Sequence, residues 1–153
     1  MIKEQSYLEV LEYLRNIPNT NGINTNLIRL LTERALRKYT EERRPRYISE
    51  AAKIEAVKHN VQLNINTHNG IHKPRKMGVM ITLDHCNPVG ELVDRIMIKN
   101  NIIKDVLNDN FTAIITKNED DSLNKLGYRR KRGKNGKKYS DCYIEAGIQE
   151  KNY

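Results

Sequence analysis

At 153 residues the chain suits one domain, or one domain with a small appendage. Lys and Arg number 27 against 19 Asp and Glu, a formal charge of +8. That excludes a DNA mimic or a binder of cationic partners and places nucleic acid first among partners. No apolar run approaches the roughly 18 residues of a membrane span, so no membrane partner is expected. The opening MIKEQSYLEV lacks the apolar stretch of a secretory signal, so the expected location is cytoplasmic. Cys86 and Cys142 form no Cys-x-x-Cys pair, which excludes a four-cysteine zinc site. Two thiols are expected rather than a disulfide.

The first sixty residues read as helical. Tyr7, Leu8, Leu11 and Leu14 recur at helical spacing, and Pro18 with Asn21-Gly22 ends that element. A second helix is predicted from about Asn26 to Tyr39, with Leu27, Leu30, Leu31, Ala35 and Leu36 as its apolar positions. Arg43, Arg44 and Arg46 bracket Pro45 and form a basic surface. Ser49 can cap a third helix striped by Ile54, Val57 and Val61. His59, near its end, suits the charge of a helix C-terminus.

After Asn60 the period changes. Val61, Leu63 and Ile65 alternate with Gln62, Asn64 and Asn66, which predicts a strand, and Asn69-Gly70 predicts a turn. Residues 78–83 (GVMITL) read as a buried strand ending in Asp84-His85, with Met77 and Met80 in the core. Val89 to about Lys99 is an amphipathic helix, followed by a shorter one near Ile102 to Leu107. Phe111 to Thr116 is a second apolar strand. Thr116 and Glu119 have the spacing of a capping box, and Gly127 suits the C′ position of the helix between them and Leu126. Tyr139, Tyr143 and Ile144 through Ile148 predict a short closing helix that packs back on the domain. The fold class is therefore α+β: a helical segment over residues 1–60, serving recognition or dimerisation, then a mixed unit over 61–153.

Two features carry chemistry. Asp84-His85-Cys86-Asn87-Pro88 closes an apolar strand, so a carboxylate and an imidazole stand together at the rim of a core. The imidazole can serve as a general base near neutral pH, and the carboxylate is a hard oxygen ligand. The second feature is the basic loop 128–138. It holds Arg129, Arg130, Lys131, Arg132, Lys134, Lys137 and Lys138 with no acidic residue, and leaves the rest of the chain close to neutral. Such a run binds phosphates by releasing counterions, and the flanking Tyr128 and Tyr139 could stack on bases. Lys73, Arg75 and Lys76 could also touch a nucleic-acid backbone. His68 and His72, spaced H-x-x-x-H, could bind zinc with Cys86, but they lie at a turn, so zinc is not expected.

Asp-His-x-x-Pro after an apolar strand, followed by the Ile114 to Asp121 strand-to-helix segment, resembles the HNH, or His-Me finger, nucleases over about residues 78–127. The resemblance implies a ββα-metal core with the Val89 helix inserted. It implies metal-dependent hydrolysis of phosphodiesters in DNA, more than RNA, of the kind used in restriction, phage defence or mobile elements. Asp84 and Asp121 would hold Mg²⁺ or another divalent cation, with Asp120 and Asn118 as competitors for the second position. His85 would activate water, and Asn110 best matches the central Asn. A homodimer would supply two sites for cutting both strands. The residues also admit a non-catalytic regulator with a helix-turn-helix-like unit over residues 26–59, and a metal-independent ribonuclease using His85.

Overall fold

The described residues form four short strands and eight α-helices. The computed structural model describes residues 3–18, 25–132 and 137–153. The elements are α1 (Glu4–Arg15), α2 (Thr25–Glu41), β1 (Tyr47–Ser49), α3 (Glu50–Lys58), a 3₁₀ turn (His68–Ile71), α4 (His72–Lys76), β2 (Ile81–His85), α5 (Val89–Met97), α6 (Ile103–Asn108), β3 (Thr112–Thr116), α7 (Lys117–Lys125), α8 (Tyr139–Glu145) and β4 (Glu150–Asn152). The fold is mixed α+β. No described helix is long and apolar enough to cross a membrane.

The sheet order is β2-β3-β1-β4. β2 runs antiparallel to β3, with His85 opposite Thr112, and β3 runs parallel to β1. β3 is buried on both faces, which explains its unbroken apolar run. Ile114 joins one core cluster with Ile48, Ala52 and Ile81, while Ala113 and Ile115 join another with Leu123 and Tyr143. Alternation along β3 thus splits the core into two layers. α3 covers the first and α7 the second. A third cluster is helical: Tyr7 and Leu11 of α1 and Leu36 and Tyr39 of α2 pack on Leu92 and Ile96 of α5 and Val106 of α6.

The division at residue 60 does not coincide with a break in this packing. β1 lies inside the sheet, and α1 and α2 share their core with α5 and α6. β1 also fills the space between α2 and α3, so those helices are not joined by the tight turn of a helix-turn-helix.

Several side-chain expectations are corrected. Leu27, Leu30 and Leu31 are exposed, because α2 buries Ile28, Thr32, Leu36 and Tyr39 instead. On α3 the expected Ile54 and Val57 face outward. Its buried positions are Ala52 and Ala56, small enough to bring the helix backbone close to the sheet. Val61 to Ile65, expected as a strand, forms none; Ile65 donates its N–H to the Tyr153 hydroxyl at 2.5 Å. Met77 and Met80 are exposed. The closing helix ends at Glu145, leaving Ile144 exposed and Ile148 buried beyond it. Asn21-Gly22 lies outside the described residues.

The α7 start is held by the expected capping box. Thr116 Oγ1 accepts from the Glu119 N–H, and Glu119 Oε2 accepts from the Thr116 N–H at 2.8 Å. The same buried carboxylate oxygen accepts from Ser49 Oγ at 2.6 Å, tying α7 to the end of β1. At the other end Gly127 has φ +79°, the left-handed conformation that turns the chain toward the basic run. Glu119→Ala should lower unfolding free energy by about 2–3 kcal/mol, since it strands several donors, and Thr116→Ala by about 1 kcal/mol. Urea denaturation checks both values, and the larger loss must belong to Glu119.

Candidate functional site

Strand β2 delivers Asp84 and His85 as its last two residues, and Pro88 directs the chain into α5. Across the strand end, Asn87 donates to the Asp109 carbonyl at 2.8 Å, fastening the exit of β2 to the approach of β3. The backbone around the imidazole is therefore held from both sides.

Arg132 dominates the interior here. Its side chain is almost wholly buried, at 1% exposure, against 12% for Asp84. Nη2 donates to Asp84 Oδ1 at 2.8 Å, and Nη1 lies 2.7 Å from Oδ2. Nη1 also donates to the carbonyls of His85 and Cys86, and Nε to the Tyr128 carbonyl. Tyr143 donates its hydroxyl to Asp84 Oδ2 at 2.5 Å. Burial, with Cys86 and Asp84 nearby, pushes the Tyr143 hydroxyl well up, so it stays a donor. Burial alone would pull the Arg132 guanidinium down, but Asp84 outweighs it and the net shift is upward.

These contacts change two expected roles. Arg132 does not contact solvent phosphate, because its N–H groups are spent on Asp84 and three backbone carbonyls. Asp84 is an anchor whose two oxygens are both occupied, so it is not a free cation ligand.

A cavity of about 640 Å³ opens beside this anchor. It is lined by His85 from β2, Arg37 from α2, Asp120 from α7, and Arg129 and Arg130 from the run beyond Gly127. Arg37 is paired with Glu33 at 2.8 Å, whereas Arg129 and Arg130 are exposed and make no ion pair among the described residues. His85 Nδ1 is buried without a hydrogen-bond partner, which leaves Nε2 as the nitrogen that can meet the cavity. Burial first, then the Arg37 charge, pushes the His85 imidazole down to about 4. The ring is neutral at pH 7, with its nitrogen lone pair unprotonated, and is a weaker base than a free imidazole.

Of the three candidates on α7, only Asp120 lines this cavity. Asp121 is exposed elsewhere, and Asn118 lines a different hollow with Met80 and Ile54. Asn110 is buried, donates to the Leu36 carbonyl at 2.8 Å and lines a different hollow from His85. Lys73, Arg75 and Lys76 sit on α4, exposed and outside the cavity. Lys131 and Lys138 line a second cleft on the far side of the α5 start, with Lys137, which is paired to Glu145 at 2.5 Å. Lys134 lies outside the described residues. Cys86 and Cys142 are buried free thiols, and burial pushes both up, so neither is an activated nucleophile. Among the described residues no group of three or more His, Cys, Asp or Glu side chains converges as a metal site.

Sequence reasoning missed Arg37. It lies far from the motif in sequence and carried no local signal beyond a basic helix face. No protein-family model, curated protein or solved structure matches the chain.

Two outcomes follow. Asp84→Ala should destabilise the protein by about 3–5 kcal/mol, because it leaves Arg132 buried without its counter-charge. The double variant Asp84→Asn/Arg132→Met should recover much of that loss in the same denaturation assay. For His85, the folded protein resists protonation until about pH 4, while the unfolded chain takes up a proton near pH 6.5. Stability contributed by the neutral ring is present above pH 6.5 and falls by about 3 kcal/mol as pH drops to 4. Comparing His85→Gln with the parent across that window should show a flatter profile in the variant.

Proposed function

We propose that this chain is a nucleic-acid endonuclease of the His-Me finger kind. The reacting phosphodiester occupies the cavity around His85. The observation that carries the reading is convergence: a neutral imidazole, three arginines and the carboxylates of Glu33, Asp84 and Asp120 line one hollow. Glu33 is paired to Arg37 and Asp84 to Arg132, so that Asp120, Arg129 and Arg130 face it without an ion pair among the described residues. The antiparallel pair β2–β3, followed by α7 packed on it, has the ββα order that the motif implies.

Arg129 and Arg130 supply planar donors for the non-bridging phosphate oxygens and offset their charge. Arg37 adds positive potential from α2. His85 Nε2 accepts the proton of the attacking water as its oxygen bonds to phosphorus and the leaving oxygen departs. DNA is the expected substrate, and Lys131 and Lys138 in the adjoining cleft extend the positive surface for flanking phosphates.

The pair expected to hold a divalent cation, Asp84 and Asp121, does not fit. The first is neutralised by Arg132 and the second points elsewhere. Asp120 is the carboxylate that would hold Mg²⁺, completed by substrate phosphate as such sites commonly are. When bound, the ion would neutralise charge developing on the phosphate oxygens.

Plasmid nicking with Mg²⁺ tests the reading. His85→Ala and Asp120→Ala should each lose at least about 100-fold in rate, while Asp121→Ala stays within about twofold of the parent, a change of under 0.5 kcal/mol. Equal nicking by the parent and His85→Ala would remove the imidazole from the chemistry. The occupied carboxylate of Asp84 favours one second reading, a metal-independent ribonuclease in which His85 activates a 2′-hydroxyl. Cleavage of RNA in excess chelator would select it.

A further inference from the structure

We infer that residues 43–46 build a second phosphate-binding site, separate from the His85 cavity. Its ligand is a phosphoester group of a nucleic-acid backbone or a free nucleotide. The carrying observation is a repeated arrangement. Arg43, Arg44 and Arg46 each lie over an aromatic ring, at 3.4 Å from the Tyr39 centroid, 4.3 Å from Tyr153 and 3.8 Å from Phe111. A guanidinium on a ring face loses freedom while its in-plane N–H groups stay available at the edge.

Tyr39 lies one helical turn before Arg43, but Tyr153 and Phe111 belong to distant parts of the chain, so Arg44 and Arg46 are positioned by the fold. Arg43 Nη1 donates to the Tyr39 carbonyl at 2.8 Å, and Arg46 Nη2 to the Asn108 carbonyl at 3.0 Å. Each of those two thus spends one donor on the backbone and keeps others. None of the three arginines makes an ion pair among the described residues. Together they line a hollow of about 260 Å³ between the end of α2, α6 and the approach to β3. The one carboxylate on its wall, Glu4, already accepts from the Tyr39 hydroxyl at 3.2 Å.

Three guanidinium groups held near one another repel, and a bound phosphate relieves that repulsion while accepting several directed hydrogen bonds. A solvated basic surface would need no such ordering. The stacking also separates this site from the cleft of Lys131 and Lys138, whose one arginine, Arg95, is paired with Asp109.

The test uses the full chain carrying His85→Ala, so that nucleic acid is bound and not cut. Binding of a labelled DNA oligonucleotide is followed by fluorescence anisotropy, and binding of ATP by calorimetry. Arg44→Lys/Arg46→Lys keeps the charge and removes the planar forks. Arg44→Gln alone, at an exposed position, covers the case in which the double variant fails to fold. The expected result is a loss of about tenfold in affinity for the double variant, the scale of one directed charge-assisted contact, with an unchanged thermal midpoint. Loss with the oligonucleotide alone assigns a nucleic-acid backbone, and loss with ATP assigns a nucleotide. Affinities within about twofold for both probes, under 0.5 kcal/mol, would overturn the site and leave only net charge. Absence of nicking by the parent protein bears on His85 and leaves this result standing.

Discussion

The structure around the candidate site depends on one buried ion pair, Asp84 with Arg132. A guanidinium removed from water is tolerable only when its donors and its charge are met. Here a carboxylate and three backbone carbonyls meet them. The consequence is mechanical as well as electrostatic. A run of basic residues that would otherwise be a solvated loop is pinned at one point to the end of a central strand. Arg129 and Arg130 then fall on the side of the imidazole, and Lys131 on the other side of the α5 start.

The same pair bears on the charge of the cavity. Asp84, although committed to Arg132 and Tyr143, still favours the charged form of His85, but burial of the ring and the Arg37 charge outweigh it. Burial and the Arg37 charge act in the same direction, and together they keep the imidazole unprotonated before a ligand arrives.

Much of the fold was legible because its signals were local. The Thr116–Glu119 capping box, Gly127 and the amphipathic α5 were each readable within a few residues. The short strands β1 and β4 were not, because three residues carry almost no period. They exist through pairing with β3 and with each other across long sequence separations. Leu27, Leu30 and Ile54 misled for a related reason: apolar spacing names a face, but tertiary packing chose the neighbouring one. At the site, Asp84-His85 stood out by adjacency and strand position. The true partner of Asp84 sat inside a run of look-alike cations, where sequence gives no way to tell a buried arginine from exposed ones. Asp120 and Asp121 are adjacent, and only the helix phase on the sheet separates them.

The parallel pairing of β1 with β3, and its antiparallel pairing with β4, has a kinetic side. β1 leaves the ribosome early, yet both of its hydrogen-bonding partners come much later, β4 roughly a hundred positions on. Until they arrive, Tyr47 to Ser49 presents bare amide and carbonyl groups along both edges, the state most prone to pairing with another chain. Arg44 and Arg46, on either side of Pro45 just before that stretch, place charge and a ladder-breaking ring where a stray strand would have to add. The nascent chain is thereby guarded against self-association during the interval in which its sheet is incomplete.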